Sequence, residues 1–188
     1  MAKFFGNLHL VLLVGLALAI AVMVGVGGAD ANSVARWLHT FFGIVWIGLL
    51  YYFNFVQIPT MPKIPAELKP GVSKHIAPSA LFFFRWGAAL TVLTGLIVAH
   101  LGNYLHQAMA FQGTGGVLLI GIGMWLAVIM AFNVWFIIWP NQKRALGIIE
   151  ADDASKAKSA VTAMMTSRLN TLLSIPMLYC MVNANLGG

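Results

Sequence analysis

The chain has 188 residues, 60% hydrophobic and 9% charged, with a formal net charge of +6. A water-soluble domain carries roughly 25% charged residues, so a solvated globular fold is excluded. The basic residues sit in short loops between apolar runs, which points to membrane topology and not to nucleic acid. One cysteine, Cys180, leaves no intrachain disulfide, no two-cysteine metal motif and no C-x-x-C-H haem attachment.

A hydrocarbon core about 30 Å thick takes about 20 apolar residues in helix to cross. Five runs qualify, at about 6–28, 33–57, 79–101, 114–139 and 159–184. The expectation is a single all-α transmembrane domain, a bundle of about five helices. The first run follows Lys3 and ends near Ala29-Asp30-Ala31, like a signal peptide, but it is long for a signal h-region and reads as a retained helix. Gly27-Gly28 ends it. Pro59, Pro62 and Pro65 are expected to close the second, because proline cannot continue a helix ladder. Pro78 opens the third, where a missing N–H is harmless. Gly113, Gly115 and Gly116 mark the turn into the fourth, and Pro140 is expected to end it. The polar stretch 141–158 carries Glu150, Asp152 and Asp153 and leads into the fifth.

With five spans, the N-terminus and the 58–78 and 140–158 loops share one side. That side holds Lys3, Lys63, Lys69, Lys74, Lys143, Arg144, Lys156 and Lys158, against Arg36 alone on the other. The excess of Lys and Arg predicts the N-terminus in the cytoplasm and the C-terminus outside.

Chemistry must come from the few polar groups within the runs. His39 falls about two turns into the second span and His100 at the end of the third, at similar depth. Neutral imidazole is a good axial ligand for haem iron, and bundles hold cofactors between facing helices. Gly43 lies one turn below His39, where a flat macrocycle could approach the backbone, and Arg36 one turn above, where it could pair with a propionate. The alternative is that both histidines are solvated or bonded to a neighbouring helix. His9, His75 and His106 read as interfacial.

A second group lies nearer the Lys-rich side: Asn54, Gln57, Arg85, Asn133, Arg168 and Asn170. Such groups are costly in an apolar interior unless paired. They form either a pocket for an anionic or amide-rich small molecule or interhelical glue with snorkelling arginines. Arg85 fits the snorkelling reading; Arg168, with Asn170 and Asn133, is the better pocket candidate. All five acidic residues fall in loops, so the carboxylate relay of a proton-coupled carrier or cation channel is missing. A small-molecule or metal permease is accordingly the least favoured function.

Three segments together resemble a known family. They are Arg36-Trp37-Leu38-His39 with Trp46-Ile47-Gly48, then Asn133-Val134-Trp135 with Trp139-Pro140-Asn141-Gln142-Lys143, and Ser167-Arg168-Leu169-Asn170-Thr171-Leu172-Leu173-Ser174-Ile175-Pro176-Met177. The pattern resembles the N-terminal membrane domain of the PuuD-type urate oxidases. The resemblance implies a bacterial inner-membrane domain with b-type haem, acting as an electron-transfer or oxidase subunit. On it, His39 matches the family's histidine, while Arg168, Asn170 and Asn133 become substrate-pocket candidates. His100 is proposed as second haem ligand from depth alone. Family members continue into a C-terminal cytochrome c domain that these 188 residues lack. A separate cytochrome c, a quinone or a larger complex is therefore the expected acceptor. The competing expectation is a non-catalytic accessory subunit of a respiratory or photosynthetic membrane complex.

Overall fold

The computed structural model describes residues 1–184, in helices joined by turns and short irregular segments. The main elements are α1 (Leu8–Gly27), α2 (Ala31–Lys63), α3 (Lys69–Leu101), the short α4 (Leu105–Met109), α5 (Gly116–Ala145) and α6 (Asp153–Asn183). Helices α1, α2, α3 and α5 are each long and apolar enough to cross a membrane, so this is a multi-pass membrane protein.

The fifth expected span is long enough but not apolar enough by composition. At 31 residues, α6 is roughly 46 Å long. Its polar residues explain its low hydropathy: Ser159, Ser167, Asn170 and Ser174 are buried against the bundle. The opposite face presents Met165, Leu169, Leu172, Ile175, Tyr179 and Val182 outward. A lipid-facing apolar stripe with polar groups inside is what a bilayer favours.

Capping starts three helices, with Asn7 Oδ1 accepting from the Leu10 N–H at 3.2 Å at the start of α1. Asp30 Oδ1 accepts from the N–H groups of Asn32 and Ser33 at 3.0 and 3.1 Å, and Asp152 Oδ1 from the Ser155 N–H at 2.9 Å. Between α1 and α2 the chain turns at Gly28, whose φ of +75° suits glycine alone without strain.

The prolines act differently from expectation. Helix α2 runs through Pro59 and Pro62 to Lys63, and α5 runs through Pro140 to Ala145. In each case a π-helical turn precedes the proline: Tyr52–Gln57 before Pro59, and Asn133–Ile138 before Pro140. The same arrangement, Val72–Ile76, precedes Pro78 in α3. Proline lacks an N–H and its ring collides with the carbonyl four residues back. Widening the preceding turn moves that carbonyl aside, so the helix continues.

Helices α2, α3, α5 and α6 form a ring, with α2 on α3, α3 on α5, α5 on α6 and α6 back on α2. Trp46, Leu50, Phe84, Met130 and Val134 fill its centre. Glycines set the spacing. A Cβ at Gly87 would lie 3.3 Å from the Trp46 backbone, and one at Gly123 would lie 2.8 Å from Cys180 Cβ. Small residues at helix crossings let backbones approach where no hydrophobic force drives them together. Helix α1 stands outside the ring, with none of its residues buried.

Polar bonds tie the ring. Asn133 Nδ2 donates to Asn170 Oδ1 at 2.8 Å, and Asn170 Nδ2 donates to the Met130 carbonyl at 2.9 Å. Asn54 Nδ2 donates to Ser167 Oγ at 2.8 Å, and the Tyr51 and Ser174 hydroxyls meet at 3.0 Å.

Two predictions follow from these contacts. Asn170→Ala strands the Asn133 amide and should cost roughly 1–2 kcal/mol of stability, read as a lowered melting temperature in detergent. The caps set an acid limit. Hydrogen bonds from Ser33 and Ser155 hold the Asp30 and Asp152 carboxyls below their ordinary value of 3.8. Their contribution is thus complete above that value and is lost as pH falls through the lower folded value. Helicity measured by circular dichroism should fall off under acid, and Asp30→Asn with Asp152→Asn should flatten that dependence.

Candidate functional site

Helices α2 and α3 are pressed together along a row of small residues on α3: Gly87, Thr91 and Gly95, one helical turn apart. His39 lies flat against this row. A Cβ at Gly95 would come within 2.8 Å of His39 Cε1, so only glycine leaves room for the ring in this position. His39 Nδ1 is 2.9 Å from the Thr91 carbonyl and 3.4 Å from Thr94 Oγ1. A carbonyl can only accept, so in the neutral ring Nδ1 carries the proton and Nε2 keeps its lone pair. Nε2 has no hydrogen-bond partner among the described residues. A backbone carbonyl on one ring nitrogen fixes the tautomer and orients the imidazole.

The ring lines a cavity of about 900 Å³ between α2, α3, α5 and α6. Its polar end holds Asn32, Arg36, His39, Thr40 and Tyr104. Burial pushes the Tyr104 hydroxyl up, and the Arg36 charge opposes that shift. Arg36 is exposed at the mouth and makes no ion pair among the described residues. The rest of the lining is apolar and soft, with Ile47, Met124, Met177 and Met181. Gly43 lies on the α2 wall, where a Cβ would meet only Thr91, at 3.9 Å. Ile44 and Val182 also border the cavity, and they are 69% and 80% exposed on the lipid-facing surface. The cavity therefore opens sideways, between α2 and α6. Trp46 lines it from the bundle centre, fully buried, with its Nε1–H enclosed and without a partner.

His39, Arg36 and Gly43 thus share one cavity. His100 does not join them. It is exposed at the end of α3 and lines a separate cleft with His106. Similar depth placed the two imidazoles level, but His100 is five residues past Gly95 and so on a different side of α3.

Asn133 and Asn170 are brought together, but with each other and not with a cavity. Their amides are engaged in interhelical bonds. Arg168 is exposed and projects from α6 away from that pair. Arg85 turns inward relative to expectation: its guanidinium lies 3.4 Å from the Trp139 ring centroid, with Nε and Nη1 enclosed and unpartnered. Stacking on the indole holds the cation where water is scarce.

Thr91, Thr94, Gly95 and Tyr104 were not legible as site residues. The spacing of Gly87, Thr91 and Gly95 was the available signal, a small-residue row of the kind that marks a close helix crossing.

No curated protein and no solved structure matches the chain. The Urate oxidase N-terminal family matches residues 106–187, from α4 through α6. The Asn133–Trp135, Trp139–Lys143 and Ser167–Met177 segments fall inside that stretch, and His39 and Arg36 fall before it. Over residues 106–187, then, the chain is similar to the Urate oxidase N-terminal family, within a multi-helix membrane protein.

Proposed function

We propose that this chain is a haem b-binding redox domain of the bacterial inner membrane, with its N-terminus in the cytoplasm, and that the cavity beside His39 is the haem site. One observation carries the reading: His39, its Nδ1 bonded to the Thr91 carbonyl and its Nε2 left without a hydrogen bond, lines a large, mostly apolar cavity. The residues present fit the group. His39 would hold the iron, Gly95 and Gly43 would leave room for the imidazole and the macrocycle, and Arg36 with Tyr104 would suit the carboxylates of the propionates. Bound there, haem b supplies one-electron exchange.

The chain's own residues do the rest. Thr91 and Thr94 hold the imidazole in orientation and prevent rotation of the ring. The Met124, Met177 and Met181 wall excludes water and lowers the local dielectric, which tunes a redox potential. The acceptor would be a cytochrome c, a quinone or a larger complex. A substrate role for Asn133 and Asn170 would require breaking the bonds between them, and Arg168 lies outside the cavity. Their fitting role is adhesion between α5 and α6.

A second reading is favoured by α1, a wholly unburied helix beside the ring. A membrane helix with no buried residue among the described residues suits a subunit that packs in a larger complex.

The test is haem content by the pyridine haemochrome assay, on protein produced with ample haem. Wild type should hold about one haem per chain. Loss of a ligand costs at least what loss of an outer partner does, so His39→Ala should lower occupancy at least about tenfold, while His100→Ala leaves it unchanged. Gly95→Ala, which displaces the ring, should lower it several-fold. Size-exclusion profile and helicity should match wild type in all three. Full haem in His39→Ala contradicts the ligand assignment, and haem-free wild type moves the account to the accessory subunit.

A further inference from the structure

The end of the bundle that carries Arg36 has a second concave site. Asn103, in the left-handed region at φ +59°, reverses the chain just after α3. Its N–H donates to the His100 carbonyl at 3.0 Å, and the Tyr104 N–H donates to the Ala99 carbonyl at 3.1 Å. The chain then enters α4 at once.

Helix α4 is a fixed ledge. Ala108 is fully buried, and its carbonyl lies so close to Gly121 of α5 that no side chain would fit there. Trp125 Nε1 donates to the Met109 carbonyl at 3.0 Å, and the Phe111 ring stacks on Trp125. With Ala108 turned onto α5, the ledge carries His106 and Met109 three residues apart, which are neighbours on a helix surface. Those two residues, His100, Asn103, Leu96 and Leu105 line one cleft of about 510 Å³. Neither imidazole makes a hydrogen bond within the described residues, and both are exposed. The lysines are all at the other end of the helices or on the N-terminal segment, so little positive charge opposes a cation here.

We propose that this cleft binds a soft transition-metal ion, of the copper(I) class, through one ring nitrogen each of His100 and His106 and the Met109 thioether. Asn103 also lines the cleft. The donor set decides the class. Two imidazoles with a thioether favour copper(I), whereas hard cations take oxygen ligands. No group of three or more His, Cys, Asp or Glu stands together among the described residues, so a structural zinc site lacks its ligands. The cleft is open, which suits an ion that is exchanged with a partner and not one locked into the fold. The proposal gives His100 and His106 a shared role independent of the haem cavity, which neither of them lines.

The test uses purified full-length protein with any histidine tag removed. Copper(I) is titrated anaerobically against bicinchoninate, with zinc(II) as the comparison ion. Wild type should retain about one copper(I) per chain in the competition. His100→Ala and His106→Ala should each weaken binding at least about tenfold, by the same reasoning as for any lost ligand. Met109→Leu should weaken copper(I) while leaving zinc(II) binding within about twofold, because only the soft ion uses the sulfur. All three positions lie outside the ring core, and helicity and haem content serve as fold controls. Absence of retained copper in wild type overturns the proposal. So does retention that is unchanged when His100→Ala and His106→Ala are combined. Haem content follows His39 and not this pair, so failure here leaves the haem reading standing, and the reverse holds.

Discussion

Lipid offers no hydrogen bonds, and this fold follows from that constraint. Every polar group inside the hydrocarbon layer must find a partner within the bundle or line a cavity. The Asn133–Asn170–Met130 chain, the Asn54–Ser167 bond and the Tyr51–Ser174 contact are the resulting ties between helices. They fix how α6 is rotated, because its buried polar residues recur on one face. That rotation places Met177 and Met181 on the cavity and Val182 at its lateral opening. The site is thus a consequence of how α6 satisfies its own side chains.

The same constraint makes His39 informative. A neutral imidazole in lipid needs a partner for its N–H, and the Thr91 carbonyl provides one across the α2–α3 crossing. That crossing exists because Gly87 and Gly95 carry no side chain. Helix spacing, ring tautomer and the free Nε2 therefore form one unit. Trp46 is the counterexample within the same cavity: its N–H is enclosed and unpartnered. Leaving a donor so costs about 1–3 kcal/mol, which a bound acceptor would offset.

The membrane class and the four apolar spans were legible because hydropathy and charge placement report lipid contact directly. The cavity around Arg36, His39 and Gly43 was legible as a helix face, since residues 36, 39 and 43 follow the helical repeat. Other features were hidden for physical reasons. Proline stops a regular ladder, but a widened turn evades the rule, so α2 and α5 run past Pro59 and Pro140. Depth along the membrane says nothing about rotation about a helix axis, so His100 read as level with His39 while facing elsewhere. Arg85 and Arg168 exchanged environments for the same reason: the indole of Trp139, on another helix, decides which guanidinium is enclosed. Pairing across helices is a property of the packed bundle and not of any one segment.

The central claim is that the space beside His39 is a haem site. An experimental density map, from crystals grown in lidded lipidic mesophase with haem supplied during expression, tests it most directly. The account predicts a flat density lying against α2, reaching His39 Nε2 on one face and turned with its acidic edge toward Arg36. A cavity filled by lipid tails, or a His39 ring rotated away from the Thr91 carbonyl, would contradict it.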